Sequence, residues 1–220
     1  IEAYNPVTEE GMIYYIGSGV SLHQISHSMG VEIDYSEIKA LEAALDWQIY
    51  LNNPIGRMHY NTNGLTVDDY VGTSTENYMQ TSPLVGTGSN TLDSEYIMYY
   101  KCKSETFTIG TYTGTGVAGN FVETKDVNGV ARRPRRVIVK CTSNSPTSWM
   151  TLDSARLNGI LDGYFYLNTS NAENITLNLI EYNSNGFTLI NTGTELNASG
   201  YTYLYLVEFD TNGDGGDSYF

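Results

Sequence analysis

The chain has 220 residues, enough for one large β domain or two of about 100 residues, each able to bury a core. A net charge of −14 argues against nucleic acid or an anionic membrane surface as a partner, since both would require a basic surface. No apolar run approaches the roughly 20 residues of a membrane-spanning helix. Tyr (19) and Gly (22) are abundant while charged residues are only 16% of the chain, a composition typical of β-strands between tight turns rather than of a helical enzyme.

The first predicted strand, Met12–Ile16, follows residues 1–10, for which an Asn-Pro pair and adjacent Glu residues predict an extended arm or linker. The strand runs into the phrase Tyr15-Ile16-Gly17-Ser18-Gly19-Val20. That phrase returns 97 residues later (112 minus 15) as Tyr112-Thr113-Gly114-Thr115-Gly116-Val117, with Tyr, both Gly and Val retained. The recurrence marks a possible repeating unit, which has to be settled before any fold is assigned.

Further landmarks recur in the same order behind this phrase. Ile38-Lys39 recurs as Val139-Lys140, Trp47 as Trp149, Asn61-Thr62 as Asn168-Thr169, and Ser94–Tyr100 as Ser199–Tyr205. The offsets drift from 97 to 107 (168 minus 61), as loop insertions would make them drift. We therefore predict two divergent copies of one unit, 11–105 and 106–210, followed by an acidic, Gly-rich tail at 211–220. Because the two Trp occupy equivalent places, core positions are favoured over a ligand platform.

One segment gives conflicting signals. Ser36–Leu51 has apolar residues at helical spacing, whereas the aligned segment Arg135–Cys141 is a β-branched run typical of a strand. Equivalent units should share elements, so we expect a strand through about Ala40. This leaves room for a short helical insertion before Trp47.

The remaining predicted elements are short strands separated by Gly, Asn and Ser/Thr turns. They lie at 47–51, 57–62, 96–103, 164–169, 175–182, 187–190 and 201–209. Short strands at regular spacing predict an all-β fold. We expect two tandem β-sandwich domains of the jelly-roll or lectin-like type, related by the internal repeat.

The Cys and His residues give little sign of metal binding. Cys102 and Cys141 lie in predicted strands, and buried free thiols are favoured over a disulfide because Cys is often a small core hydrophobe. His23 and His27 are four residues apart in an extended segment, where they would lie far apart along the strand. Structural histidines are therefore favoured over a metal site.

A candidate calcium loop lies near the end of the sequence. Asp210, Asn212 and Asp214 supply oxygen ligands at alternate positions, as in the first half of a calcium-binding loop. The usual closing Glu is missing, and Asp217 could substitute for it. A solvated acidic tail is the favoured alternative, and no other cofactor is predicted.

Other charged residues have no catalytic pattern. The basic run Arg132, Arg133, Arg135 and Arg136 suggests an anion site, although a solvated run leading into a strand is favoured. Nucleophile elbows, phosphate loops and paired catalytic carboxylates do not stand out. The carboxylates Glu105, Glu123, Asp153 and Glu181 are available for such a role, but nothing singles them out.

These landmarks together resemble a family of domains of unassigned function, found as tandem copies in tail-fibre and other virion proteins of tailed bacteriophages, especially marine ones. The resemblance covers about residues 11–210 and rests on these segments besides the two Tyr-x-Gly-x-Gly phrases: Gln24–Gly30, Pro134–Lys140, Trp149, Leu167–Thr169, Asn185–Phe187 and Asn197–Tyr203. The first copy departs from the pattern, since it lacks the Pro before its Lys strand. The resemblance implies a virion location and a lectin-like sandwich, and it brings no catalytic motif.

The resulting expectation is a non-enzymatic virion protein of a fibre or surface appendage that contributes to receptor binding at a cell-surface glycan. Its partners would be other virion proteins and further copies of itself, most plausibly as a trimer, with neither nucleic acid nor membrane as a partner. One alternative is a capsid or tail decoration subunit, in which residues 1–10 and exposed sheet edges contact neighbours. A second is a carbohydrate-active enzyme with two carboxylates in a groove.

Overall fold

The computed structural model describes residues 1–45, 47–52, 56–59, 74–81, 89–143, 147–154, 163–175 and 178–210. Their regular secondary structure is entirely β-strand, which confirms the predicted all-β class. Nowhere in these ranges does a helix long and apolar enough to cross a membrane occur. The chain divides into two compact units, Ile1–Lys103 (unit 1) and Ser104–Phe220 (unit 2), so the division falls two residues (105 minus 103) before the predicted one.

The described residues of unit 1 form eight strands, all paired antiparallel. They are β1 (Glu2–Asn5), β2 (Glu10–Ile16), β3 (Gln24–Ser26), β4 (Tyr35–Ala40), β5 (Gln48–Leu51), β6 (Gly56–His59), β7 (Tyr78–Gln80) and β8 (Glu95–Lys101). The larger sheet has the order β1-β2-β8-β4-β5-β6, and β3 pairs with β7.

Unit 2 contains eight described strands with the same antiparallel pairing. They are β9 (Phe107–Thr113), β10 (Asn120–Glu123), β11 (Pro134–Cys141), β12 (Met150–Asp153), β13 (Tyr164–Tyr166), β14 (Ile180–Asn183), β15 (Gly186–Leu189) and β16 (Thr202–Phe209). The larger sheet has the order β13-β12-β11-β16-β9, and the smaller one β10-β15-β14.

The larger sheets of the two units share one strand order. In each, the first long strand pairs with the last strand of the unit, and three further strands follow beyond the last strand in chain order. The orders are β2-β8-β4-β5-β6 in unit 1 and β9-β16-β11-β12-β13 in unit 2. Unit 1 adds β1 outside β2. Residues 1–10, for which the sequence predicts an arm or linker, thus form β1 and its turn onto β2. Descent of both units from one sequence stays a prediction, and the shared strand order is compatible with it.

Each core lies between the two sheets of its unit, because alternate residues of each strand point inward. In unit 1, Ile13, Ile38 and Met98 of the larger sheet join Ile25 and Met79 of the smaller one. In unit 2, the core likewise draws on both sheets; its members are Val122, Val137, Val139, Met150, Ile180, Phe187, Leu189, Tyr203 and Val207 among others. This two-layer arrangement is consistent with the predicted β-sandwich.

Two local expectations are confirmed. In the segment Ser36–Leu51, the residues through Ala40 belong to the strand β4, as expected. The described residues on either side of Asp46 contain no helix. Cys102 and Cys141 are both buried free thiols, one in the core of each unit.

Candidate functional site

In unit 1 the Tyr-x-Gly-x-Gly turn is held by one side chain, that of Asn90. Its Oδ1 accepts hydrogen bonds from the Ser18 N–H at 2.7 Å and lies 3.0 Å from His23 Nδ1, while its Nδ2 donates to the Val20 carbonyl at 2.7 Å. His23 is therefore engaged within the turn, as the structural interpretation predicts. A buried amide satisfied in this way fixes the loop that follows β2.

Asn197 does the same in unit 2. Its Oδ1 accepts from the Thr115 N–H at 2.9 Å and from Asn120 Nδ2 at 2.9 Å, and its Nδ2 donates to the Val117 carbonyl at 2.8 Å. Each partner lies 97 residues after its counterpart in unit 1, for example 115 minus 18. In both units the asparagine therefore holds the turn by hydrogen bonds within the unit, and we call Asn90 and Asn197 the asparagine braces.

Stacked tyrosines lie beneath each turn. The rings of Tyr15 and Tyr96 stack with centroids 5.1 Å apart, and those of Tyr112 and Tyr203 stack at 5.0 Å. Tyr96 therefore corresponds to Tyr203, at an offset of 107 (203 minus 96). The sequence alignment had paired Tyr96 with Tyr201, so its register for the closing strand was wrong by two residues.

A lysine contacts the segment before the tryptophan in both units. Lys39 of β4 donates from Nζ to the Leu45 carbonyl, and its Nζ lies 6.0 Å from the centroid of the half-buried Trp47 ring. In unit 2, Lys140 of β11 donates from Nζ to the carbonyl of Thr147. Each acceptor precedes the tryptophan by two residues.

The unit 2 version of this contact is fully buried. Lys140 and Trp149 are inaccessible, which for Trp149 confirms the predicted core position. The same prediction holds only in part for Trp47, which is half-buried. Burial lowers the pKa of Lys140 to about 8, although Glu195 opposes the shift; burial also raises the pKa of Glu195, whose carboxylate accepts the Ser148 N–H at 3.1 Å. The Thr147–Ser148 peptide unit therefore links a buried lysine to a carboxylate, so loss of either side chain would leave the other charge buried without compensation.

The outward face of the larger sheet of unit 1 differs from these internal contacts. We call it the tyrosine face, formed by Glu10, Met12, Tyr14, Ile16, Ile97, Tyr99 and Lys101, which the strand register places on one side of β2 and β8. Met12 is 45% exposed and Ile16 53% exposed. This surface thus combines accessible apolar groups with aromatic rings.

Its polar groups are prearranged. The Tyr99 hydroxyl donates to Glu10 Oε2 at 2.7 Å, Lys101 Nζ lies 3.3 Å from the same oxygen, and Lys101 Nζ lies 5.9 Å from the Tyr99 ring centroid. Burial tends to raise the pKa of Glu10, but the hydrogen bond from Tyr99 and the charge of Lys101 outweigh it and lower the pKa. The carboxylate is therefore ionised and fixed beside an aromatic ring.

Most of the corresponding face of unit 2 is buried, although Thr111 and Thr113 are exposed. The positions equivalent to Met12, Ile97 and Tyr99 hold Ile109, Leu204 and Leu206, which are 8%, 1% and 4% exposed. The two units therefore share a scaffold but present different surfaces.

His27 is the other histidine that was considered as a metal ligand from the sequence, and it lies apart from His23. Its Nε2 is 3.0 Å from the Thr75 carbonyl, and burial lowers its pKa. Nearby, the Glu2 carboxylate accepts the Ser28 N–H at 3.0 Å and the Tyr100 hydroxyl at 2.6 Å. These contacts tie β1 to the rest of unit 1.

The calcium candidate lies mostly outside the described residues. Asn212, Asp214 and Asp217 fall there, and for Asp210 the structure gives a backbone contact to the Arg133 carbonyl at 3.5 Å. Across the described ranges, no group of three or more His, Cys, Asp or Glu residues is arranged to hold a metal ion.

Two members of the arginine run form ion pairs. Arg132 lies 2.5 Å from Asp126 and 3.7 Å from Glu105, and Arg136 lies 2.6 Å from Glu208. Among the other carboxylates that the sequence offers, Glu123 pairs with Lys125 at 2.6 Å.

A family model described as a domain of unknown function, DUF7483, matches residues 6–210. The chain belongs to this family. One match spans both units, so the DUF7483 domain comprises the pair rather than a single unit. Neither the curated proteins nor the solved structures contain a match.

Sequence reasoning missed the two asparagines that hold the turns of the DUF7483 domain and the polar cluster on the tyrosine face. Asn90 and Asn197 each precede the stacked tyrosine by six residues (96 minus 90, and 203 minus 197), a spacing that would have identified both. The Glu10–Tyr99–Lys101 cluster had no comparable signal, because Glu10 lies 89 residues from Tyr99 in the chain.

Proposed function

We propose that this chain is a non-enzymatic virion protein of a tailed bacteriophage, part of a fibre or surface appendage, which contributes to host recognition by binding a neutral cell-surface glycan on the tyrosine face. The virion assignment is supported by the resemblance of its sequence motifs to tandem domains of phage fibres. The glycan assignment is supported by one observation, the accessible aromatic surface with a fixed carboxylate and ammonium group.

The chemistry of the face suits a sugar. Aromatic rings pack against the C–H faces of sugar rings, and ionised or amide groups exchange directional hydrogen bonds with hydroxyls. Glu10 and Lys101 are already held by Tyr99, so few side chains need to be ordered on binding. The net charge of −14 disfavours sulfated or carboxylated glycans, which makes neutral ones the expected class.

A glycan array followed by calorimetry on the purified chain tests this proposal. We expect a neutral oligosaccharide to bind, and Tyr99→Ala to weaken binding by about ten-fold or more because it removes the ring and releases Glu10 and Lys101. Phe121→Ala is the matched control, since Phe121 is an exposed aromatic residue of unit 2, 46% accessible. Equal losses in both variants, or no glycan bound by the wild type, would exclude the tyrosine face as a receptor site.

An assembly role is the second candidate, and the exposure of Met12 and Ile16 favours it. A decoration or assembly subunit would bury these residues against a neighbour and bind no glycan. Light scattering across concentration, with and without calcium, separates the cases: a stable trimer supports a fibre protein, and a calcium-dependent change supports the candidate loop at Asp210. Release of reducing sugar ends from a bound glycan would instead support the carbohydrate-active enzyme.

A further inference from the structure

The outer edge of β9 in unit 2 corresponds to an edge that unit 1 covers with β1. In unit 1, the Tyr14 N–H donates to the Ile1 carbonyl at 2.8 Å, and the Ile1 amine donates back to the Tyr14 carbonyl at 2.9 Å. Thr111 is the equivalent of Tyr14, at the offset of 97 (111 minus 14). Among the described residues β9 pairs with β16 alone, so no strand occupies the place of β1.

The pairing with β16 fixes which backbone groups of β9 face outward. The Gly114 N–H donates to the Tyr201 carbonyl at 2.8 Å, so alternate residues from Gly114 back along β9 direct their N–H and C=O groups at β16. Ile109 and Thr111 are the intervening residues, and their backbone groups point to the open edge. Thr111 and Thr113 also have exposed side chains, which leaves this part of the edge accessible.

The edge has none of the features that usually prevent strand pairing. Edge strands are commonly protected by charged residues, proline or a bulge. The β9 sequence, Phe-Thr-Ile-Gly-Thr-Tyr-Thr, contains no charge and no proline, and its register with β16 is continuous. An unprotected edge of this kind is suited to pairing with another strand.

A side-chain feature of the β1 seat is also present in unit 2. In unit 1 the ring of Tyr100 lies over Gly11, where a Cβ would clash with its hydroxyl, and that hydroxyl donates to Glu2 of β1. In unit 2 the ring of Tyr205 lies over Gly110. This pair is shifted by two residues toward the Tyr-x-Gly-x-Gly turn, since the register makes Thr108 and Val207 the equivalents of Gly11 and Tyr100. The hydroxyl of Tyr205 has no hydrogen-bond partner among the described residues, so it is available to a carboxylate on an added strand, as the hydroxyl of Tyr100 is to Glu2.

We propose that the β9 edge of unit 2 is a docking site for an extended segment of a partner protein, which adds antiparallel to β9 and carries an Asp or Glu side chain. The backbone of the segment pairs with Ile109 and Thr111. Its carboxylate, opposite Gly110 or two residues further on, accepts the hydroxyl of Tyr205. This site lies in unit 2 and requires no sugar, so it stands or falls separately from glycan binding by the tyrosine face.

A labelled synthetic peptide of residues 1–6 is the probe, because this segment already pairs with the equivalent strand and supplies Glu2. We expect the peptide to bind the purified full chain in fluorescence anisotropy. Thr111→Pro should weaken binding by about ten-fold or more, since proline removes the outward N–H without removing a bond to β16. Thr111→Val, which keeps the N–H, is the matched control and should bind like the wild type. A peptide with Glu2→Gln should also bind more weakly, because the charged acceptor is lost.

Photocrosslinking locates the peptide independently of any variant that fails to fold. With a benzophenone group in place of Tyr4, we expect crosslinks to β9 and to Tyr205 of the wild-type chain. Crosslinks confined to β2 would show that the peptide only replaces the chain's own β1, and they would overturn the proposal. It is likewise overturned if about 1 mM peptide does not bind, or if Thr111→Pro folds and binds as tightly as Thr111→Val.

Discussion

Lys39 and Lys140 occupy equivalent strands and donate to equivalent carbonyls, but their surroundings differ. Lys39 is half-buried beside a half-buried Trp47, whereas Lys140 and Trp149 are fully enclosed. The same difference extends over the sheet face, where Tyr99 in unit 1 corresponds to the buried Leu206 in unit 2. The outward face of the larger sheet is thus accessible in unit 1 and largely buried in unit 2, although the two units share a strand order.

This contrast separates groups that maintain the fold from groups that are available for binding. The asparagine braces and stacked tyrosines are present in both units, and their polar atoms are engaged internally. The residues that differ are those on the outward face of the larger sheets. Function is therefore expected where the units diverge, and stability where they agree.

The largest effect should come from tryptophan removal. Trp149→Ala should lower the free energy of unfolding by about 3–5 kcal/mol, because it deletes a fully buried aromatic side chain. Trp47→Ala should cost less than half as much, since Trp47 is half-exposed. Urea denaturation followed by tyrosine fluorescence and circular dichroism measures both. Equal losses would show that the two tryptophans have the same packing environment, contrary to the comparison above.

Removing the asparagine side chain should lower the free energy of unfolding by a similar amount in both units. Asn90→Ala and Asn197→Ala should each cost about 1–3 kcal/mol, because each removes at least two part-buried hydrogen bonds to the backbone of its turn. The Asp variants test the mechanism, since aspartate keeps the acceptor but cannot donate to the Val20 or Val117 carbonyl. If one unit tolerated the alanine change without loss, the two turns would not be held in the same way.

Much of the scaffold could be predicted from the sequence. The Tyr-x-Gly-x-Gly phrases, the two tryptophans and the two Lys strands recur with offsets that match equivalent contacts in the structure. The closing strands were misaligned because both carry tyrosines at two-residue spacing, so a shift by two preserves the pattern. Two contacts distinguish Tyr203 from Tyr201: ring stacking, and the hydrogen bond that the hydroxyl accepts from the Ala198 N–H, as the Tyr96 hydroxyl accepts from the Thr91 N–H.

The surfaces were less predictable for a physical reason. Glu10 and Tyr99 meet because β2 pairs with β8, so their contact depends on the register of strands that are distant in the chain. The strand β1 is only four residues long, too short for alternation to identify it. Its anchoring through Glu2 and Tyr100 depends on the fold of the whole unit.

The last and smallest effect concerns the buried lysine. The folded pKa of Lys140, about 8, lies below the value of about 10.4 for an unfolded chain. Between these values the unfolded chain binds more protons than the folded one, so the stability contributed by this group rises with pH. We expect a gain of about 1–2 kcal/mol from pH 8 to pH 10, measured by urea denaturation.

Lys140→Met should abolish this rise, because methionine fills similar space without titrating. Glu195 acts in the opposite direction: burial raises its folded pKa, so the stability that it contributes at acid pH is lost as pH rises through that folded pKa. Tyrosines with raised pKa values, such as Tyr112, oppose the rise only above about pH 10, where they ionise in the unfolded chain. A wild-type slope equal to that of Lys140→Met would show that Lys140 keeps its proton throughout the window and that its surroundings are more hydrated than those of Trp149.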